Sequence, residues 1–173
     1  MARRNKMKQW ILAVILFCAL CVLPLFANAQ DIKDGAMVTE GTTVQNSFLM
    51  DNVLSTKKHG DIHYHLHLPE DYAKQGGGKY ALLITLPGWE GLYFQGMGEN
   101  LRWESFGQES IRYNKEMIVV APQLNDWGVT SAEQTIVLTK YFLASYPIDP
   151  KRVYIDGYSG GGETLSLVLE REP

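Results

Sequence analysis

The sequence predicts an α/β protein, a three-layer sandwich around a mostly parallel sheet. Three observations carry that expectation. Short apolar runs of strand length are each stopped by a proline or a glycine, stretches of helical period lie between them, and a glycine-rich turn follows the last run at once. Strand, helix, strand, helix, strand in that order implies parallel pairing with right-handed crossovers.

Each element has its own signal. Residues 30–47 are polar and weakly patterned and read as a leader over the domain surface. His63, His65 and His67 alternate with Ile62, Tyr64, Leu66 and Leu68, a period of two expected of a strand with one wet face and one dry face, and Pro69 stops it. After a loop carrying Gly76-Gly77-Gly78, the run Tyr80 to Leu86 is apolar on both faces, which places it inside a sheet covered on both sides, and Pro87-Gly88 closes it. From Glu99 to Lys115, Trp103, Phe106, Ser110 and Tyr113 share one stripe, the pattern of an amphipathic helix. Met117 to Ala121 is a second buried strand, stopped by Pro122. Thr130 with Glu133, and Ser131 with Gln134, have capping-box spacing at the start of a helix. Val137, Leu138, Tyr141 and Phe142 supply its buried face before Pro147 and Pro150 end it, and Arg152 to Asp156 is a third buried strand. No repeat or composition break divides residues 48–173, which read as one α/β unit.

The 173-residue chain has room for one domain at roughly 100 to 200 residues each, and its apolar share of 46% and charged share of 20% are those of a globular protein. Disordered tails, collagen-like repeats and multi-span membrane proteins are excluded. Arg3, Arg4, Lys6 and Lys8 are the charged residues of the first 30 positions; in the other 143, twelve cations face nineteen acids, a net of −7. An acidic body has no electrostatic reason to seek phosphate backbones, so nucleic acid is not an expected partner.

The four cations precede the apolar run Trp10 to Phe26 and the small-x-small triplet Ala27-Asn28-Ala29, the layout of a secretory signal. Residues 1–29 are therefore expected to be removed, leaving Gln30 first in a secreted or periplasmic protein with no stable membrane association. An uncleaved anchor competes, since the run of 17 approaches a bilayer span, but Pro24 interrupts it. Both cysteines, Cys18 and Cys21, would leave with the signal, excluding disulfides and thiolate chemistry from the mature chain.

Gly157-Tyr158-Ser159-Gly160-Gly161 is G-x-S-x-G placed between a strand and the apolar segment Leu165 to Leu169. A sharp strand-to-helix turn forces its central residue into strained backbone, tolerable when glycines stand two before and two after. Ser159 is then held up at the carboxyl end of the sheet, where the Gly160 amide and the helix start can stabilise an oxyanion. The plainer alternative is a glycine-rich link with no chemistry. A phosphate loop is disfavoured because no Gly-Lys-Ser or Gly-Lys-Thr follows.

With these residues in view, the sequence resembles the α/β-hydrolases, and among them secreted esterases of the polyhydroxybutyrate depolymerase and feruloyl esterase group. The resemblance rests on Leu68 to Tyr72, on Leu86-Pro87-Gly88-Trp89 and on Ile148 to Gly162, within residues 60–173. It implies that Ser159 is the acyl-accepting nucleophile of a nucleophile elbow that includes Gly157, Tyr158 and Gly161. It also implies that Gly160 donates one oxyanion-hole amide and Trp89 the second, from a loop where many relatives have His-Gly and this chain has Pro87-Gly88. No cofactor or metal is implied, and the substrate is a small-molecule or polymeric ester.

Such enzymes place an acid and then a histidine after the serine. Here 14 residues follow Ser159, with Glu163, Glu170 and Glu172 and no histidine. The four histidines, His59, His63, His65 and His67, all precede it, and their strand is expected to be a solvent-facing edge rather than a metal site. The expectation is a C-terminally truncated hydrolase, inactive alone, with a sheet incomplete after the elbow strand and helix. By the resemblance its strand order is first, second, fourth, third, fifth. The elbow strand would then be an open edge inviting self-association, and the chain would be marginally stable.

Trp89, Tyr93 and Phe94 cluster after a central strand, and Asn125-Asp126-Trp127-Gly128 follows the next, so Trp89, Tyr93 and Trp127 are candidate substrate-binding residues. Aromatics packing on their own loop are the blander alternative, and Asp126 reads as a turn former. Two further functions compete with an esterase: a serine peptidase of the prolyl-oligopeptidase type, and a non-catalytic α/β binding module.

Overall fold

A computed structural model describes residues 36–70, 72 and 80–173; the expected signal segment and the Gly76–Gly78 loop lie outside the described residues. Among the described residues the strands are β1 (Ala36–Thr39), β2 (Thr43–Gln45), β3 (Phe48–Thr56), β4 (Gly60–His67), β5 (Tyr80–Leu86), β6 (Met117–Pro122) and β7 (Ile148–Gly157). They form one open sheet in the order β1-β3-β4-β6-β5-β7, with β2 pairing β3. Counted from β3, this is the order first, second, fourth, third, fifth. The sheet is mixed: β6, β5 and β7 are parallel, whereas β1, β2, β3 and β4 join through antiparallel pairs.

Among the described residues four α-helices cover it: α1 (Glu99–Trp103), α2 (Phe106–Tyr113), α3 (Val129–Ser145) and α4 (Gly161–Arg171). Alternate residues of the inner strands feed two cores, as the period of two requires. Leu82, Ile84 and Leu86 pack with Leu138 and Phe142 of α3 and with Leu165 of α4. Leu83 and Val119 pack on the other face with Leu101 of α1 and Ile111 of α2. The result is the expected three layers.

Several expectations need correction. The segment read as a leader supplies β1 and β2, and β3 follows with a weak sequence signal, because the polar pair Asp51-Asn52 interrupts its apolar residues although its sides alternate in burial. The histidine strand is interior rather than an edge: β4 lies between β3 and β6, and His65 and His67 are buried. The bulged start of β3, with Ser47 before it, meets them from the neighbouring strand. Asp51 N donates to His65 Nδ1 at 3.0 Å, His67 Nδ1 lies 3.0 Å from Ser47 O, and His63 Nδ1 lies 2.7 Å from Asp51 Oδ1. Asp51 makes both bonds from the left-handed region, at φ 55°. Burial lowers the His65 pKa to about 4, so the ring is neutral at neutral pH.

The single helix expected over 99–115 is two, because Glu104 is extended (φ −123°, ψ 119°) and turns its side chain inward. Its stripe faces solvent: Trp103, Phe106 and Tyr113 are exposed, and the buried contacts come from Leu101 and Gly107. Neither capping box forms at α3. Gly128 is the N-cap, and Asp126 Oδ1 takes the Gly128 amide at 2.9 Å and the Ser131 hydroxyl at 2.7 Å. The turn-forming role expected of Asp126 is the one it has. Residues 152–156 of β7 are half-buried or exposed rather than buried, since among the described residues β7 pairs with β5 alone.

Candidate functional site

Loops after β5, β6 and β7 converge at the carboxyl end of the parallel strands, as open α/β sheets lead one to expect of a ligand crevice. The chain leaves β7 at Gly157 and enters α4 at Gly161, and between them Ser159 adopts φ 51°, an unfavourable region for a residue with a side chain. Neighbouring backbone enforces the bend. A methyl group on Gly157 would stand 2.5 Å from Gly161 O, and one on Gly161 would stand 2.5 Å from Leu86 O. The glycines flanking the serine by two are therefore steric necessities. Ser159 is exposed, and its hydroxyl makes no hydrogen bond to a described residue.

The turn after β5 lies against this bend. A methyl group on Gly88 would sit 3.3 Å from Ser159 Cβ and 2.9 Å from the Tyr158 ring. Trp127, from the loop after β6, donates its indole N–H to Pro87 O at 3.2 Å and lies flat on Gly160, where an added methyl would fall 2.2 Å from its ring. Ser159, Gly160, Trp89 and Trp127 are thus brought together. Aromatic rings pack among the loops that meet here: Trp89 lies at 6.1 Å on Trp127 and 5.1 Å on Phe94, while Tyr158 lies at 6.0 Å on Phe106. Tyr93 is occupied elsewhere, its ring stacked at 4.8 Å on His63 and its amide bonded to Leu124 O. An open groove lined by Trp127, Gly128, Glu163, Ser166 and Leu167 runs along the flank of α4 without including Ser159.

Two carboxylates near the bend were not legible in the sequence. Glu104 is 6% exposed, and its Oε1 accepts the Gly88 amide at 2.6 Å. Burial, with smaller contributions from Asp156 and Glu90 against the lowering effect of the Gly88 bond, raises its pKa to about 7. Asp156, three residues before Ser159, takes the Thr85 hydroxyl at 3.2 Å, and burial raises it to about 6. Glu104 had no visible trace, since the stripe Trp103, Phe106, Ser110 and Tyr113 runs past it unbroken in the sequence. Asp156 had none, because its burial depends on what covers β7.

The histidines are elsewhere. β4, with His63, His65 and His67, is separated from β7 by β6 and β5, and His59 lies 3.5 Å from Glu133 of α3. Among the described residues no group of three or more His, Cys, Asp or Glu side chains is arranged to hold a metal ion.

No protein-family model matches the chain, and no curated protein matches it. Solved structures do. One, described as the crystal structure of a thermostable esterase, superimposes with a TM-score of 0.56 at 22% identity, covering 74% of this chain and 38% of that one. Another, Thermogutta terrifontis esterase 2 phosphoramylated by tabun, gives a TM-score of 0.39 at 15% identity, over 75% of this chain and 45% of that one. The chain therefore spans less than half the length of either. The first likeness establishes the architecture: an open, mixed α/β sheet of the kind found in that thermostable esterase.

Proposed function

We propose that the chain is the N-terminal part of a secreted serine hydrolase that cleaves carboxylic esters. The observation that carries this reading is the strained, exposed position of Ser159 between the turn at Gly88 and the start of α4. In the proposed reaction Ser159 Oγ attacks the ester carbonyl carbon while a base takes its proton. The carbonyl oxygen, now negative, is held by the Gly160 and Trp89 amides. Collapse breaks the bond to the alcohol, which leaves with that proton, and water then releases the acid from the acyl-enzyme. The region Gly157–Gly161 serves as nucleophile elbow, and Trp89, Trp127 and Tyr158 line the path of the ester.

None of the described histidines contacts Ser159, so the base is proposed to come from sequence beyond residue 173, and this chain alone to be nearly inactive. Chemical rescue tests that division of labour. Added imidazole is expected to accelerate p-nitrophenyl acetate hydrolysis by the chain beyond the imidazole background, with the gain absent in Ser159→Ala. A peptide anilide cleaved faster than the ester would favour the peptidase of prolyl-oligopeptidase type. An identical imidazole response in both proteins would favour a binding module. The polyhydroxybutyrate depolymerase and feruloyl esterase group remains the proposed kinship, supported by the residue blocks at 86–89 and 148–162. Export with cleavage before Gln30 is proposed alongside it, and intact-mass analysis of the exported chain would check it.

A further inference from the structure

We propose that Glu104 is the positioning residue of this centre: by accepting the Gly88 amide it fixes the turn after β5 against Ser159 and leaves the Trp89 amide to meet the substrate oxygen. The inference rests on the serine-hydrolase reading above. Its starting point is an anomaly of burial. Carboxylates are costly to bury unless paired, yet Glu104 has no cation partner among the described residues, and the hydrogen bond it makes is to a neutral backbone amide. Helix α1 is broken at this residue to send the side chain inward. A leucine or methionine would fill such a site without that cost, so the carboxylate is there for what it holds.

What it holds is the contact point of two loops. Glu104 Oε1 and Ser159 Cβ each lie 3.3 Å from the place where a Gly88 Cβ would be, so the bond is made beside the serine. Gly88 is followed directly by Trp89, whose backbone follows any rotation of the peptide plane that the bond restrains. A charged acceptor holds an amide more firmly than a neutral one. The groups facing Glu104 are Asp156 of β7, Glu90 of the turn after Gly88, and Gly88 itself; both acids disfavour its ionised form. The centre therefore tightens as Glu104 loses its proton near neutral pH.

The test joins a spectroscopic readout to a chemical one. In 15N-labelled chain between pH 5.5 and 8.5, the Gly88 amide proton should move downfield as pH rises, with Trp89 and Gly160 following the same midpoint. In Glu104→Gln, which keeps an acceptor oxygen but does not titrate, all three should be flat. The rate at which a fluorophosphonate labels Ser159 is measured in parallel, with imidazole free base held constant. At pH 8.5 the wild type should label about tenfold faster than Glu104→Gln, the difference between a charged and a neutral acceptor, and at pH 5.5 the two should agree within about twofold. A rate ratio that does not change with pH, or a Gly88 amide that does not titrate, overturns the positioning role even if Ser159 is labelled. Absence of labelling in the wild type at every pH overturns the hydrolase reading and the positioning role with it. Should Glu104→Gln fail to fold, the wild-type midpoints decide: labelling that does not track Gly88 refutes the proposal.

Discussion

Replacing Glu104 by glutamine should make the protein more stable at pH 8, even as it impairs the centre. A carboxyl group whose pKa rises from 4.5 to about 7 on folding is held preferentially in its neutral form by the folded state. Below pH 4.5 the group is protonated in both states, and its favourable contribution is fully present. As pH climbs towards and through 7, the unfolded chain ionises without penalty while the folded one must bury a charge, and the contribution is lost. At 1.36 kcal/mol per pH unit the gap amounts to about 3 kcal/mol, undiscounted because Glu104 is 6% exposed. Asp156, raised from 3.8 to about 6, adds a slope of the same sign at lower pH. Urea unfolding of wild type and Glu104→Gln at pH 5, 6, 7 and 8 measures the effect. Wild type should lose stability across this range relative to the variant, by up to about 3 kcal/mol at pH 8 less about 1 kcal/mol for the weaker bond to Gly88. Stability profiles that run parallel at all four pH values would show that Glu104 ionises normally and would refute the argument from its burial.

Other perturbations separate the parts of the architecture. Gly161→Ala puts a methyl group 2.5 Å from Leu86 O, a backbone atom that moves only with β5, so thermal unfolding should show a loss of about 3 kcal/mol or more; a loss below about 1 would contradict the packing of the bend. Asp126→Ala removes the acceptor of the Gly128 amide and the Ser131 hydroxyl at the head of α3 and should cost about 1 kcal/mol in urea unfolding. Tyr154 is half exposed on β7, which among the described residues pairs on one side alone; Tyr154→Lys should reduce any concentration-dependent association seen by sedimentation velocity, and an unchanged profile would clear this edge of that role.

Where local chemistry decides structure, the sequence was readable. The run Tyr80 to Leu86 has no polar face to misplace, and it is β5 from end to end. G-x-S-x-G was readable for the same reason: the two glycines answer to clashes within the motif or with the end of β5. Where a long-range partner decides, it was not. His63, His65 and His67 looked like a wet face because imidazole is polar; His65 and His67 are buried and His63 half-buried because residues 47–51 bring Asp51 and the Ser47 carbonyl to them. The stripe Trp103, Phe106 and Tyr113 looked like a core face because its residues are large and apolar. It faces outward because Glu104 breaks the helix to reach Gly88, a contact made across 16 positions of sequence. The candidate centre divides in the same way, with Ser159 and Gly160 written in a motif and Glu104 and Asp156 created by folding.

The central claim is that the fold itself singles out Ser159 as a nucleophile, and site-resolved labelling tests it most directly. Trypsin releases residues 153–171 as one peptide containing both Ser159 and Ser166, the latter an exposed helix residue bonded to Gly162 O. Serine centres stripped of their base still keep roughly 10³-fold of rate from oxyanion stabilisation and binding. With a fluorophosphonate and imidazole, fragmentation of that peptide should therefore find the phosphonyl group on Ser159 and not on Ser166, and none in Ser159→Ala. Equal labelling of the two serines in the folded chain would contradict the account.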